Sequence, residues 1–237
     1  MRAAKLLPAL ALALTLQGCI RYEFDHELWL RVDGSGTVAV SGRPELWAAF
    51  KGLAAENDRA AEQAARERFE RSGLRVRRTR VSRRDGRSYM LVTADFDDVN
   101  RLSGTPAFPD LKIALRRRGE RLELEGAWTR PPGTPEVSRD DRQGLVAVRF
   151  HLPSKVYSHR NAIGGVERGN IIGWRGELGP ALDGQPLAFG ASLDSRSILW
   201  STVGLFAAAI ALALALVAAT LILVVRAGRK PPGATAS

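Results

Sequence analysis

One cysteine, Cys19, occurs in 237 residues. A single thiol excludes an internal disulfide, so a folded domain here must stand on its core in any redox compartment. Histidine is scarce as well: His26, His151 and His159 are all there is. No H-x-x-x-H or HExxH spacing joins them, so no metal site is expected. No serine sits in a G-x-S-x-G elbow. Gly34 and Gly36 lead into a strand pattern without Gly-Lys-Ser, which excludes a phosphate loop. The chain reads as a non-enzyme, with no catalytic, cofactor-binding or metal residue and no cofactor. Carboxylates are missing from both ends, since all 25 Asp and Glu lie between residues 20 and 198. The formal charge of +10 and the pI of about 10.7 therefore mislead. Five of the 35 basic residues (Arg2, Lys5, Arg226, Arg229 and Lys230) lie outside that span, leaving the middle at +5, ordinary for a solvated surface. The arginine clusters 77–84 and 116–121 lack interleaved aromatics, so nucleic acid is not an expected partner. They read as a solvated face or as contacts to anionic headgroups.

What the ends contain is apolar. Arg2 and Lys5 precede the run LLPALALALTL at 6–16, too short to span a bilayer and of the length of an export signal. The run stops at Gln17-Gly18-Cys19. The same stretch also reads as an ordinary secretory signal or an uncleaved anchor. Residues 203–225 carry no charge, and Thr220 is the only hydroxyl among them. At 1.5 Å per residue they cross a hydrocarbon core of roughly 30 Å. Trp200 lies just before this run as an interfacial anchor. Arg226, Arg229 and Lys230 follow it, which by the positive-inside rule places the C-terminus in the cytoplasm and the middle of the chain outside. Ala207, Ala211 and Ala215, with Gly204 and Ala208, recur at every fourth residue, a spacing that permits pairing with a protein partner through the helix.

The middle reads as an α+β domain with a mainly antiparallel sheet, a helical segment after the first hairpin, and the transmembrane helix following. In residues 20–32, Tyr22, Phe24, His26, Leu28, Leu30 and Val32 share one parity, and charged residues share the other except at Trp29. Asp33-Gly34-Ser35-Gly36 is a turn, returning through Thr37–Val40. Leu46, Trp47, Phe50 and Leu53 then recur at helical spacing, and 58–71 is rich in helix formers. Gly52 and Asn57 interrupt the pattern, which fits one long helix or two. Strand patterns follow at 74–81, with register lost near Arg78, and at 88–96, joined by Asp85-Gly86. Asp97 or Asp98 caps a short turn. Further strands are expected at 111–115, 122–127, 144–152, 170–174 and 187–193, and residues 129–143 form the longest loop. Trp29, Trp47, Phe50, Phe69, Phe96, Trp128 and Phe150 either line an apolar cavity or fill a core.

Leu16-Gln17-Gly18-Cys19 resembles the lipobox of bacterial lipoprotein signals, with Gln17 where a small residue is commoner. More widely, the order GCIRYEFDHELWLRVDGSG, FDDVNRL, VRFHLPSKVYSHRNA and GNIIGW, closed by a membrane helix, resembles bacterial envelope lipoproteins with an LppM-type domain. The matching features are Asp33-Gly34-Ser35-Gly36, the corner Leu152-Pro153-Ser154-Lys155 with Asn161, and the segment Gly169–Trp174. Ser154 stands where glycine is commoner in that family. The resemblance implies a signal at 1–18, lipidation at Cys19, an outer domain over 19–198, a helix over 199–226 and a cytoplasmic tail over 227–237. It further implies a place in the cytoplasmic membrane and a role in handling envelope lipid or glycolipid. A scaffolding module that binds an envelope protein is the competing expectation. Membrane lipids are partners under both.

Overall fold

The computed structural model describes residues 22–84, 86–163, 166–167, 170–196 and 198–228. The stretch expected to be an export signal, Cys19, Asp85, Gly169, Arg229 and Lys230 lie outside the described residues, as does the side chain of Trp200. The fold is the expected mixed α+β arrangement, but its strands divide between two sheets rather than forming one.

The first hairpin follows from parity and a turn. Strands β1 (Phe24–Leu30) and β2 (Gly36–Gly42) pair antiparallel, with Leu28 opposite Val38. Phe24, His26 and Leu28 are buried on one face, while Trp29 on the other is 37% exposed. Asp33 closes the turn by accepting the Ser35 backbone N–H at 2.9 Å and its hydroxyl at 2.7 Å. Gly34 takes the positive φ of 85° that this turn needs. Gly36 is required for space: a Cβ there would lie 2.1 Å from the Trp29 carbonyl oxygen.

The helical region is two helices, α1 (Pro44–Lys51) and α2 (Asp58–Arg71). Pro44 sits in the first turn of α1, where no N–H is missed. Gly52, left-handed at φ 62°, ends that helix, with N–H bonds from Gly52 to Ala48 and from Leu53 to Trp47. Asn57 starts the next, its side chain accepting the Ala60 N–H at 3.0 Å. Only Ala61, Ala65 and Phe69 of α2 are buried, the thin stripe that alanine spacing allows.

Strands β3 (Arg75–Arg84) and β4 (Arg87–Phe96) form the next hairpin, with a bulge between Val76 and Arg78 where the alternation slips. Asp98 caps a 3-10 turn over Val99–Arg101. The remaining strands are β5 (Leu111–Arg118), β6 (Arg121–Trp128), β7 (Leu145–His151), β8 (Val156–Arg160), β9 (Val166–Glu167), β10 (Ile171–Glu177) and β11 (Leu187–Asp194). A short helix, α3 (Leu178–Leu182), separates the last two strands.

The seven-stranded sheet has the order β3-β4-β2-β1-β7-β10-β9 and the four-stranded sheet the order β5-β6-β11-β8. Only β1 and β7 pair in parallel among the described strands. Each sheet has one apolar face, and the two faces meet across rings, which buries both at once. Phe24 stacks on Trp128 with centroids 5.9 Å apart, and Phe150 meets Phe189 at 5.4 Å. A serial reading of strand patterns cannot see this division, because it is set by contacts distant in sequence.

The last element, α4 (Ile198–Gly228), is a continuous helix. Its segment Thr202–Arg226 has a mean hydropathy of 2.9 and no burial against the domain. Leu205 and Leu223 are 73% and 66% exposed, and the Thr220 hydroxyl donates back to the Leu216 carbonyl. An apolar helix of this length with every face uncovered is consistent with one membrane crossing.

Candidate functional site

Three polar groupings merit a functional reading, and two of them lie on opposite faces of β1. Inside, His26 meets Lys51 from the last turn of α1 and Asp110 from the loop entering β5. All three are fully buried or nearly so. Lys51 Nζ donates to Asp110 Oδ1 at 2.6 Å and lies 2.9 Å from His26 Nε2. Trp128 Nε1 donates to Asp110 Oδ2 at 2.7 Å, and Lys51 Nζ sits 4.3 Å above the Phe108 ring. Burial pushes Asp110 up and Lys51 down from their ordinary values. Burial, and then the Lys51 charge, hold His26 well below its usual range. Nε2 is the ring nitrogen that His26 turns toward the Lys51 amine. The cluster ties β1 and α1 to the four-stranded sheet, and no solvent reaches it. Its chemistry is that of an internal clamp, in which each charge is tolerable only because the other is present.

Outside, Arg149 on β7 bridges two carboxylates of the parallel neighbour β1. Its Nη2 lies 2.8 Å from Asp25 and 3.1 Å from Glu27. Glu27 also pairs with His151 Nε2 at 2.7 Å, and the Trp29 ring stacks on His151 with centroids 4.7 Å apart. Burial raises Asp25 above the usual carboxylate value, although Arg149 pulls the other way. This polar and aromatic patch occupies the sheet face opposite the core.

The third grouping lies where the chain leaves the domain. Asp194, the last residue of β11, is paired in register with Arg121, and the Ser195 N–H donates to the Glu120 carbonyl at 2.9 Å. Arg196 lies 3.6 Å from Glu120. Tyr157 on β8 donates its hydroxyl to Asp194 at 3.0 Å, and Arg121 lies 4.7 Å over its ring. The Arg196 backbone N–H and then Tyr157 hold Asp194 below the ordinary carboxylate range. Arg116, Arg117 and Arg118, the last three residues of β5, lie exposed beside the same turn. Among the described residues they form no ion pair within 4.0 Å.

The aromatics resolve as core. Trp47, Phe50, Phe69, Phe96, Trp128 and Phe150 are at most 4% exposed, and Phe50 packs on Trp128 at 4.5 Å. Rings at that spacing leave no room for an acyl chain between them; Trp29 alone of the seven reaches the surface. The residues singled out by the resemblance hold corners. Ser154 is buried and donates to the Asp194 carbonyl at 2.5 Å. Asn161 and Asn170 adopt positive φ of 62° and 58°. Trp174 is buried and donates to the Arg160 carbonyl. His159 lies exposed on β8, apart from both other histidines. The sequence reading missed Lys51, Asp110 and Arg43. Lys51 carried a signal, since it stands four residues after Trp47 and directly after Phe50, on the apolar stripe of α1. Buried Arg43 reaches Glu23 at 2.9 Å and Asp141 at 2.9 Å, fastening the long loop to the first hairpin. No family model matches this chain, nor does any curated protein or solved structure.

Proposed function

We propose that this chain is a bacterial envelope lipoprotein whose outer domain works at the outer face of the cytoplasmic membrane, by binding rather than by catalysis. In this reading Cys19 carries the lipid anchor, residues 19–198 form the working domain, and residues 199–226 cross the membrane once with the C-terminus in the cytoplasm. The observation that carries it is the apolar helix starting four residues after the end of the domain's last strand. So short a connection keeps the domain against the bilayer. The LppM-type resemblance supplies the further expectation of contact with envelope lipid or glycolipid. Because the rings between the sheets are packed together, that contact belongs on the surface of the domain. Fatty-acid analogue labelling of the full chain, with and without Cys19→Ala, tests the anchor: label is expected on the parent and absent from the variant. Protease treatment of intact spheroplasts tests the topology. Digestion of the domain with the membrane helix protected is expected, whereas a domain that resists until the cells are lysed contradicts the reading.

A protein partner is the second reading, and the exposed Trp29 on the uncovered face of the seven-stranded sheet favours it. Aromatic residues beside arginine are enriched where proteins meet. Photo-crosslinking from position 29 in native membranes tests it, with a discrete adduct expected and its absence counting against it.

A further inference from the structure

We infer that the β5–β6 turn, together with β8, forms a binding face for anionic phospholipid headgroups, with Arg116, Arg117, Arg118, Arg121 and Lys155 as the phosphate contacts. The inference rests on the reading that α4 spans the bilayer. From the Asp194 Cα to the Ile198 Cα are four chain steps, so the end of β11 lies within about 14 Å of the start of that helix. Whatever the tilt of the domain, the groups fixed to Asp194 stay near the headgroups. The β5–β6 turn is so fixed, through the Arg121–Asp194 register, the Ser195–Glu120 hydrogen bond and the Arg196–Glu120 pair. Lys155 is fixed too, its carbonyl accepting the Asp194 N–H at 2.9 Å.

Charge at this end is unbalanced. The nearby carboxylates are already engaged: Asp194 by Tyr157 and the Arg196 N–H, Glu120 by Arg196, and Glu123, the register partner of Arg116, by the Ser192 hydroxyl. Arg116, Arg117 and Arg118 are exposed and, among the described residues, make no ion pair, so their guanidinium groups are open to phosphate. Guanidinium groups match phosphate oxygens with paired N–H donors. Tyr157, 47% exposed and lying between Arg121 and Lys155, has the apolar body and polar tip that suit the headgroup level.

The other arginine-rich hairpin provides the contrast. The end of β4 at Phe96 pairs with Gly36, beside the turn where the Gly34 carbonyl accepts the Val99 N–H. Asn100 in that 3-10 turn bonds both backbone groups of Leu115, next to Arg116. The β3–β4 tip lies at the opposite end of β4, about 30 Å away along ten residues of strand. Two basic hairpins therefore occupy opposite ends of the domain, and only one adjoins the anchor.

The test is hydrogen exchange of the full chain in nanodiscs of phosphatidylcholine, alone or mixed with phosphatidylglycerol. Amides of 116–121 and 155–160 are expected to exchange several-fold more slowly with the anionic lipid, and to lose that protection at about 1 M salt, where the screening length falls to roughly 3 Å. The triple variant R116Q/R117Q/R118Q is expected to abolish the difference, and R78Q/R80Q/R83Q to preserve it. Equal exchange on both lipids, or slowing that survives the first triple variant, overturns the inference. So does a turn that stays unprotected on anionic nanodiscs yet cross-links to an acidic protein in native membranes. Failure of the spanning reading itself shows separately, as fast exchange of 202–226.

Discussion

The two sheets differ in where their unpaired charges lie. On the seven-stranded sheet, Arg149 and Arg77 meet carboxylates of the same domain, and Arg43, which enters α1 from that sheet, meets Glu23 and Asp141. Lys51 is sealed between the sheets against Asp110. Among the described residues, the exposed Arg78, Arg80 and Arg83 of β3 on the seven-stranded sheet and the exposed Arg116, Arg117 and Arg118 of β5 on the four-stranded sheet are in no ion pair, and only the second group adjoins the strand that leads into the apolar helix. Charges paired inside the domain hold the fold. If the apolar helix spans a bilayer, the unpaired charges beside it are the ones that the chain's own connectivity brings to the headgroups.

Breaking a paired charge should cost stability, most of all where water cannot replace the partner. Lys51→Met leaves Asp110 buried without its cation and is expected to destabilise the domain by about 3–5 kcal/mol, read as a lowered midpoint in chemical denaturation of the full chain in detergent. Little change would mean that Asp110 is held neutral and that the clamp is not ionic. Acid should come next. The unfolded chain takes a proton on His26 near pH 6.5, while the folded site refuses it. Stability is then present above that pH and falls as the pH drops below it, by about 1.4 kcal/mol per pH unit. Asp110 and Asp25 act in the opposite sense: their raised folded values mean that the fold takes up their protons first, which softens the fall as the pH approaches the carboxylate range. His26→Gln should flatten the slope between pH 6.5 and 5, and a slope unchanged in that variant would assign the effect elsewhere. Arg149→Met should cost about 1–2 kcal/mol, less than Lys51→Met because Arg149 and Glu27 are only half-buried; the same denaturation midpoint measures it. The smallest effect on stability belongs to R116Q/R117Q/R118Q, whose unfolding midpoint should match the parent while its membrane contact is lost.

Much of the local structure was legible in the sequence because its causes are local. Parity set the faces of β1, Asp33 and Gly34 set its turn, and Gly52 and Asn57 held the break between α1 and α2. The slip near Arg78 is the β3 bulge, and Asp98 is the cap of the 3-10 turn. The division into two sheets and the parallel β1–β7 pair were not legible: β1 and β7 partners lie 122 positions apart, and the partners that β11 gathers from β6 and β8 lie 30 to 73 apart. The internal clamp joins residues 25 and 59 positions apart, and only the placing of Lys51 on an apolar stripe hinted at it. Both basic clusters could be read as charge. That one adjoins the anchor and the other lies at the far end of the domain is a property of strand order. A lipid cavity lined by the aromatics was open in the sequence, and ring-on-ring packing closes it.

The central claim is that the end of the domain carrying the β5–β6 turn rests on the headgroups. Paramagnetic broadening from a headgroup-attached nitroxide lipid, measured on the full chain in anionic nanodiscs, tests it most directly. Strong broadening of amides 116–121 and 155–160 is expected, with little effect on 83–84 and 86–88 at the β3–β4 tip. Equal broadening of the two hairpins, or the reverse order, would contradict it.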